Sequence, residues 1–152
     1  MKLNIITILL LLILTSSCTT EPNLSKEGPF KVTNVIDGDT LDALIDGETE
    51  RIRLSGINTP EKGDCYYIEA KDELSKLVLN KYIYLEKDRT DKGKYGRLLR
   101  YIYFENKMIN EDLVEEGYAK VFDKYKDDTK HYLRLKAKED IAKRSSLGVW
   151  AC

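Results

Sequence analysis

Three short stretches of this chain concentrate the residue types that act on charged oxygen. The first is Val35-Ile36-Asp37-Gly38-Asp39-Thr40. Two carboxylates around a glycine offer the hard oxygen donors that a calcium-like cation takes; by itself the hexapeptide is equally an ordinary hairpin turn. Glu48 stands twelfth from Asp37, which invites an EF-hand reading, but that loop needs glycine at its sixth position and this chain has Asp42 there. The second stretch runs from Arg51-Ile52-Arg53-Leu54 through Asn58-Thr59-Pro60 to Glu61. Alternation puts Arg51 and Arg53 on the face opposite Ile52 and Leu54. Guanidinium forks there suit phosphate oxygens bidentately, and Glu61, just past the turn, suits the general base for a water. Solvated arginines before a proline turn are the plainer alternative. In the third, Lys92, Lys94, Arg97 and Arg100 crowd around Tyr95. Cations interleaved with an aromatic fit a nucleic-acid groove, and also a mobile basic loop. His131, the only histidine, is the single candidate base for a Ser–His–Asp triad, and between Lys130 and Tyr132 it reads as a helix-surface residue. Tyr125 stands apart from the other tyrosines because it falls in the loop before the last helix.

The elements that must position these stretches follow from hydrophobic period. Val32 and Val35, then Leu41, Ala43 and Ile45, then Ile52 and Leu54 alternate along three short strands over 30–57, with Asp46-Gly47 as a hairpin turn. Tyr67, Ala70, Leu74, Leu77 and Val78 share one face of a helix within 66–80. Strands return at 81–87 and 97–104. Asn110 suits the cap of a short helix, with Glu111 and Asp112 in its first turn and Gly117 past its end. A last helix is predicted from about 129 to 143. The order βββ-α-ββ-α-α predicts an α+β fold: a small five-stranded Greek-key OB-fold barrel with three helices, an architecture that often binds oligonucleotides.

Taken together, VIDGDT at 35–40, RLSGINTPE at 53–61, TDKGKYGR at 90–97 and NEDLVEEGYAKV at 110–121 resemble the staphylococcal nuclease (thermonuclease) family, in order and over nearly all of 30–150. The resemblance implies calcium ligands at Asp39, Asn58 and the Thr59 carbonyl. It implies phosphate-clamping arginines at Arg53 and Arg97, and a water-activating carboxylate at Glu61. Lys94 and Tyr95 match phosphate contacts, and Tyr125 matches a tyrosine of the nucleotide pocket. Asn58 stands where the family commonly has Asp, Asp123 where it has a stacking tyrosine, and Gly93 lengthens the loop after Asp91. The implied activity is Ca²⁺-dependent hydrolysis of DNA and RNA that leaves 3′-phosphate ends. A non-catalytic nucleic-acid-binding OB-fold lipoprotein with a weakened metal site is the alternative. The joint presence of Arg53, Glu61 and Arg97 speaks against it, since a binder needs no carboxylate beside the scissile phosphate. A structural surface lipoprotein would explain the amino-terminal signal and not the site.

Lys2 followed by the apolar run 3–14 reads as an export signal too short to span a membrane. Leu14-Thr15-Ser16-Ser17-Cys18 resembles a bacterial lipobox, which implies cleavage after residue 17 and acylation of Cys18; an uncleaved anchor is the alternative. Residues 18–28 then read as the lipidated cysteine and a flexible tether, and 29–152 as the nuclease-like domain. The expected location is outside the cytoplasm, lipid-anchored to the cell membrane or outer membrane, as a monomer. With Cys18 acylated, Cys65 and Cys152 remain as a disulfide or as two free thiols. The bridge would be worth roughly 4–5 kcal/mol in the chain-entropy model. Three cysteines and one histidine exclude a structural zinc site. The 152 residues carry 25 basic and 26 acidic side chains, so nucleic-acid binding would need a local basic surface rather than bulk charge.

Overall fold

The computed structural model describes residues 26–152. The signal segment and Cys18 lie outside the described residues. The chain forms β1 (Lys26–Asp37), β2 (Thr40–Ile45), β3 (Glu48–Leu54), β4 (Ile57–Asn58), α1 (Tyr67–Val78), β5 (Tyr82–Lys92), β6 (Leu98–Phe104), β7 (Lys107–Met108), α2 (Ile109–Glu115), β8 (Lys120–Val121) and α3 (Tyr132–Arg144). The sheet runs β3-β2-β1-β5-β6, and a parallel pairing of β3 with β6 closes it into a five-stranded barrel. The long β1 serves two neighbours because irregularities in its register let it bend: it pairs with β2 over Lys31–Asp37 and with β5 over Lys26–Lys31. This is the α+β barrel with three helices that the element order implies. The two-residue strands β4, β7 and β8 are additions to it.

Alternation fills the barrel. Val32, Leu41, Ala43, Ile52, Leu54, Ile83, Leu85 and Ile102 are buried, and Ala70, Leu74 and Val78 of α1 cover one end of the core. The Asp46-Gly47 hairpin forms as expected, pairing Ile45 with Glu48.

Several boundaries differ from the sequence reading. Residues 26–28, read as tether, are strand: Lys26 and Glu27 pair with Glu86 and Leu85 of β5, so pairing outweighs their polar composition. Asn110 is not a cap. It is buried inside α2, donating to the carbonyl of Ser55 and accepting from the amide of Ile102, at 2.9 Å each. It thereby links β6 to the segment leaving β3. The last helix starts three residues late, because Asp123–Asp128 winds as a 3₁₀ turn and Thr129 is extended.

Candidate active site

The closed seam between β3 and β6 positions the chemistry. Parallel pairing of Ile52, Arg53 and Leu54 with Leu98, Leu99 and Arg100 brings the VIDGDT, RLSGINTPE and TDKGKYGR stretches to one end of the barrel. Asp39 ends the turn between β1 and β2, with its amide donating to Asp37 Oδ1 at 3.0 Å. The turn sits hard against its neighbours. A Cβ on Gly38 would lie 2.8 Å from the Ala70 methyl and 2.9 Å from Thr59, closer than carbon atoms approach. Glycine therefore allows the Asp39 turn, the Thr59 turn and α1 to meet.

Asp39 is buried and heavily used. Its Oδ2 accepts from the Thr59 amide at 2.8 Å and hydroxyl at 2.9 Å, and pairs with the Arg53 guanidinium at 3.0 Å; among the described residues Oδ1 accepts only from the Thr40 hydroxyl. Arg53 is also fixed by donation to the Leu54 carbonyl at 2.8 Å and to Asn58 Oδ1 at 3.0 Å. Burial pushes the Asp39 carboxyl above its usual range, outweighing the opposing effects of Arg53 and Thr59, while Asp37 adds to the rise. Burial also lowers the pKa of Arg53, which Asp39 opposes and the nearby positive Arg97 reinforces; Glu61 acts with Asp39. Asp39, Arg53, Arg97 and Glu61 are thus in one electrostatic cluster. Glu61 is exposed on the loop after β4, at a cleft of about 300 Å³ that it lines with Asn58 and Thr59.

The loop between β5 and β6 carries Lys94 and Tyr95 outward. It is closed by Gly93 N donating to the Arg97 carbonyl at 2.9 Å. Tyr95 is 76% exposed, with the Lys94 ammonium and the Arg97 guanidinium each 5.7 Å from its ring centre. Arg97 Nε is buried and has no hydrogen-bond partner among the described residues. Tyr125, 55% exposed, packs edge-on to Phe122 at 5.6 Å within the 3₁₀ turn. Asp123, four residues past Ala119, turns instead to Tyr132, whose hydroxyl donates to it at 2.7 Å.

Residues 51–152 match the family described as Staphylococcal nuclease homologue. The chain belongs to the staphylococcal nuclease family. It is 32% identical over 133 residues to a thermonuclease of Staphylococcus hyicus, covering 84% of this chain and 78% of that one. It is 34% identical over 123 residues to endonuclease YncB of Bacillus subtilis, covering 76% and 58%. An uncharacterized endonuclease of Haemophilus influenzae is 32% identical over 151 residues, covering 99% of this chain and 79% of the relative.

Two basic residues grouped with the site by sequence are used elsewhere. Arg51 makes a two-pronged pair with Asp42, its cross-strand neighbour on β2, at 2.9 and 3.2 Å. Arg100 is buried, paired with Asp91 at 2.8 Å, and holds the base of the β5–β6 loop rather than facing a groove. His131 is not a free helix-surface residue. Its Nε2 lies 3.0 Å from Glu86 Oε2 and its ring packs edge-on against the buried Tyr101 at 4.5 Å. Glu86 also receives the Tyr103 hydroxyl at 2.6 Å and the Lys130 ammonium. Sequence reasoning missed this network. No local signal announced it: by alternation Glu86 falls on the face opposite Ile83 and Leu85, and it is buried there because Tyr103, Lys130 and His131 close over it. Cys65 and Cys152 are bridged, with Cα atoms 6.4 Å apart.

Proposed function

We propose that the chain is a calcium-dependent endonuclease that hydrolyses phosphodiester bonds of DNA and RNA and leaves 3′-phosphate ends. The observation that carries this reading is the pair of site arginines. Arg53 is 13% exposed and fixed, and Arg97 beside it holds a buried Nε–H with no partner among the described residues. Buried donors ordinarily find partners, and a fork of guanidinium donors fits an anionic phosphoryl group. The names of the relatives supply the same class of substrate.

The donor set at Asp39 fits a hard cation. Oδ1 retains an unshared lone pair and Asp37 adds a second carboxylate alongside. Among the described residues no three His, Cys, Asp or Glu side chains form a ready cage. Neutral oxygens from Asn58 and the Thr59 carbonyl would therefore complete the set around Asp39. Bound calcium supplies charge neutralisation at the phosphoryl group and a more acidic water.

The chain's own residues account for the remaining chemistry. Arg53 binds the non-bridging phosphate oxygens. Glu61 takes a proton from the water that attacks phosphorus. The bond to the 5′ oxygen breaks, and Arg97 balances the charge that develops there. Lys94 and Tyr95 contact the flanking phosphate, and Tyr125 lines the nucleotide pocket. We also place the protein outside the cytoplasm as a monomer, anchored through acylated Cys18.

The test is cleavage of plasmid DNA and of RNA by the detergent-solubilised full chain with Ca²⁺, then with a calcium chelator, followed by end-group analysis. Cleavage that stops on chelation and leaves 3′-phosphates is expected. Retention of nucleic acid without cleavage at millimolar Ca²⁺ would establish the binding-module reading instead. Palmitate labelling of the wild type and not of Cys18→Ser checks the anchor.

A further inference from the structure

The Glu61 loop is held to the remainder of the molecule by its junction with α1, where Tyr66 lies 6.1 Å from Tyr118, and by one covalent bond. From Pro60 to Cys65 its hydrogen bonds stay within the loop or reach the first turn of α1. The Glu61 amide donates to Asp64 Oδ2 at 3.2 Å, the Asp64 amide to the Glu61 carbonyl at 2.9 Å, and the Tyr67 amide to the Asp64 carbonyl at 3.3 Å. Residues 61–65 are all exposed. At its start the loop is tied by Thr59 to Asp39, and four residues after Glu61 it is tied by the disulfide from Cys65 to Cys152.

The other end of that bridge is a rigid post. The 3₁₀ turn Gly148–Trp150 is bonded to the chain leaving α2, with the Val149 amide donating to the Gly117 carbonyl at 2.9 Å. The two strands of backbone touch: a Cβ on Gly148 would lie 2.1 Å from the Gly117 carbonyl oxygen. Trp150 is gripped by the Lys120 and Lys143 ammonium groups, 4.8 and 4.5 Å from its ring. Lys120 in turn pairs across strands with Asn58. Both half-cystines line the same cleft of about 300 Å³ as Asn58, Thr59 and Glu61. The bridge therefore connects a well-anchored post to a weakly held loop at the wall of the active site.

We propose that the Cys65–Cys152 disulfide is a redox switch on the Glu61 loop, so that the enzyme turns over at its full rate only where this bridge is oxidised. The inference rests on the proposed nuclease function for its catalytic consequence. Two-electron reduction by a dithiol breaks the S–S bond; the dithiol closes to its own cyclic disulfide, and its two protons and two electrons leave Cys65 and Cys152 as thiols. The loop then keeps its internal hydrogen bonds and its junction with α1 but loses the tie to the post, and Glu61 is less well fixed relative to Arg53. Misplacement of a reacting group by about 1 Å costs on the order of 10²-fold. Arg53 and Arg97 lie on the barrel seam and are untouched, so phosphate binding survives. Such a switch keeps the nuclease idle in a reducing compartment that holds nucleic acid, and active in an oxidising one.

The experiment measures kcat and KM of the full chain on a defined oligonucleotide with Ca²⁺, before and after dithiothreitol and again after reoxidation, with amide hydrogen exchange on the same three samples. Expected on reduction are a kcat lower by about 10- to 100-fold with KM within about threefold, faster exchange at residues 60–66 beyond the general rise that loss of the cross-link's global stabilisation brings, and full recovery on reoxidation. The double variant Cys65→Ser/Cys152→Ser should match the reduced enzyme and ignore dithiothreitol. An unchanged kcat in the reduced protein overturns the switch. So does unchanged exchange at 60–66, or loss of the whole far-ultraviolet dichroism, which would make the bridge a global staple. An oxidised protein that cleaves nothing refutes the nuclease reading, and the exchange data still decide whether the bridge holds the loop.

Discussion

Glu86 is expected to set the acid limit of the fold. Its side chain is only 6% exposed, on β5, and it accepts from the Tyr103 hydroxyl, His131 and the Lys130 ammonium. Burial by itself would raise its pKa, but hydrogen bonds from Lys130, Tyr103 and His131, with the charge of His131, overcome it and hold the carboxyl at about 2, against an ordinary 4.5. A depressed carboxyl stabilises the native state above the unfolded pKa and loses that stabilisation as pH falls through the folded one. At 1.36 kcal/mol per pH unit, the gap amounts to on the order of 3 kcal/mol, present above about pH 4.5 and lost between there and about pH 2. The perturbation is Glu86→Gln, which keeps shape and removes charge. The assay is urea unfolding of both proteins at a series of pH values from 7 to 2.5, followed by Trp150 fluorescence and dichroism. The variant should be weaker by about 2–4 kcal/mol at pH 7, because Lys130 and His131 are left beside a neutral amide. Its stability should also fall less steeply below pH 4.5, by up to one proton in the slope. Equal stability at pH 7 together with the wild-type acid slope would refute the reasoning.

Three further outcomes follow from the active site. Glu61→Gln should fold normally and lose about 10²–10⁴-fold in turnover, the usual worth of a general base, measured on a linear duplex with saturating Ca²⁺; near-normal turnover removes Glu61 from the chemistry. Arg53→Lys and Arg97→Lys should each lose at least about 10²-fold in kcat, because lysine keeps the charge and loses the planar fork; full activity in both defeats the clamp assignment. Asn58→Asp adds an anionic oxygen where Asn58 now accepts from Arg53, so a Ca²⁺ titration of nuclease rate should reach its midpoint at several-fold lower metal, with little change at saturation; an unmoved midpoint means position 58 is not a ligand.

The barrel was legible because its strands alternate cleanly: Leu41, Ala43 and Ile45 or Ile52 and Leu54 announce their faces, and Asp46-Gly47 announces the turn between them. Helix α1 was legible from Ala70, Leu74 and Val78 for the same reason. Asp39, Arg53, Thr59 and Arg97 were named because they sit in motifs whose order could be matched, and the fold brings them to one end of the barrel. What was not legible depends on pairing across the fold. Whether an arginine points to a site or to a partner is decided by strand register: Arg51 has Asp42 opposite it on β2, a pairing that the Asp46-Gly47 turn already implies, whereas Arg100 reaches Asp91 across the irregular end of the β5–β6 pairing, where no simple register gives the partner. His131 looked solvated because its own helix is polar, while its partner Glu86 lies on β5. Lys26 and Glu27 looked like tether because a strand edge needs only backbone groups from them.

The same logic bears on how the site would work. Asp39 and Arg53 currently neutralise each other, and that pair is the resting arrangement of the seam. Under the proposed function, Asp39 would serve the cation, Oδ1 first, and Arg53 would serve the phosphate, so each ligand would meet a group that is already paired with the other's. A cation drawn to Asp39 weakens its hold on Arg53, and a phosphate drawn to Arg53 weakens its hold on Asp39. Each ligand therefore lowers the cost of the other, and linkage requires the two effects to be equal. The loop bearing Glu61 contributes to neither exchange. It needs only to stand still beside them, and its only covalent tie outside the chain path is the bridge from Cys65 to Cys152.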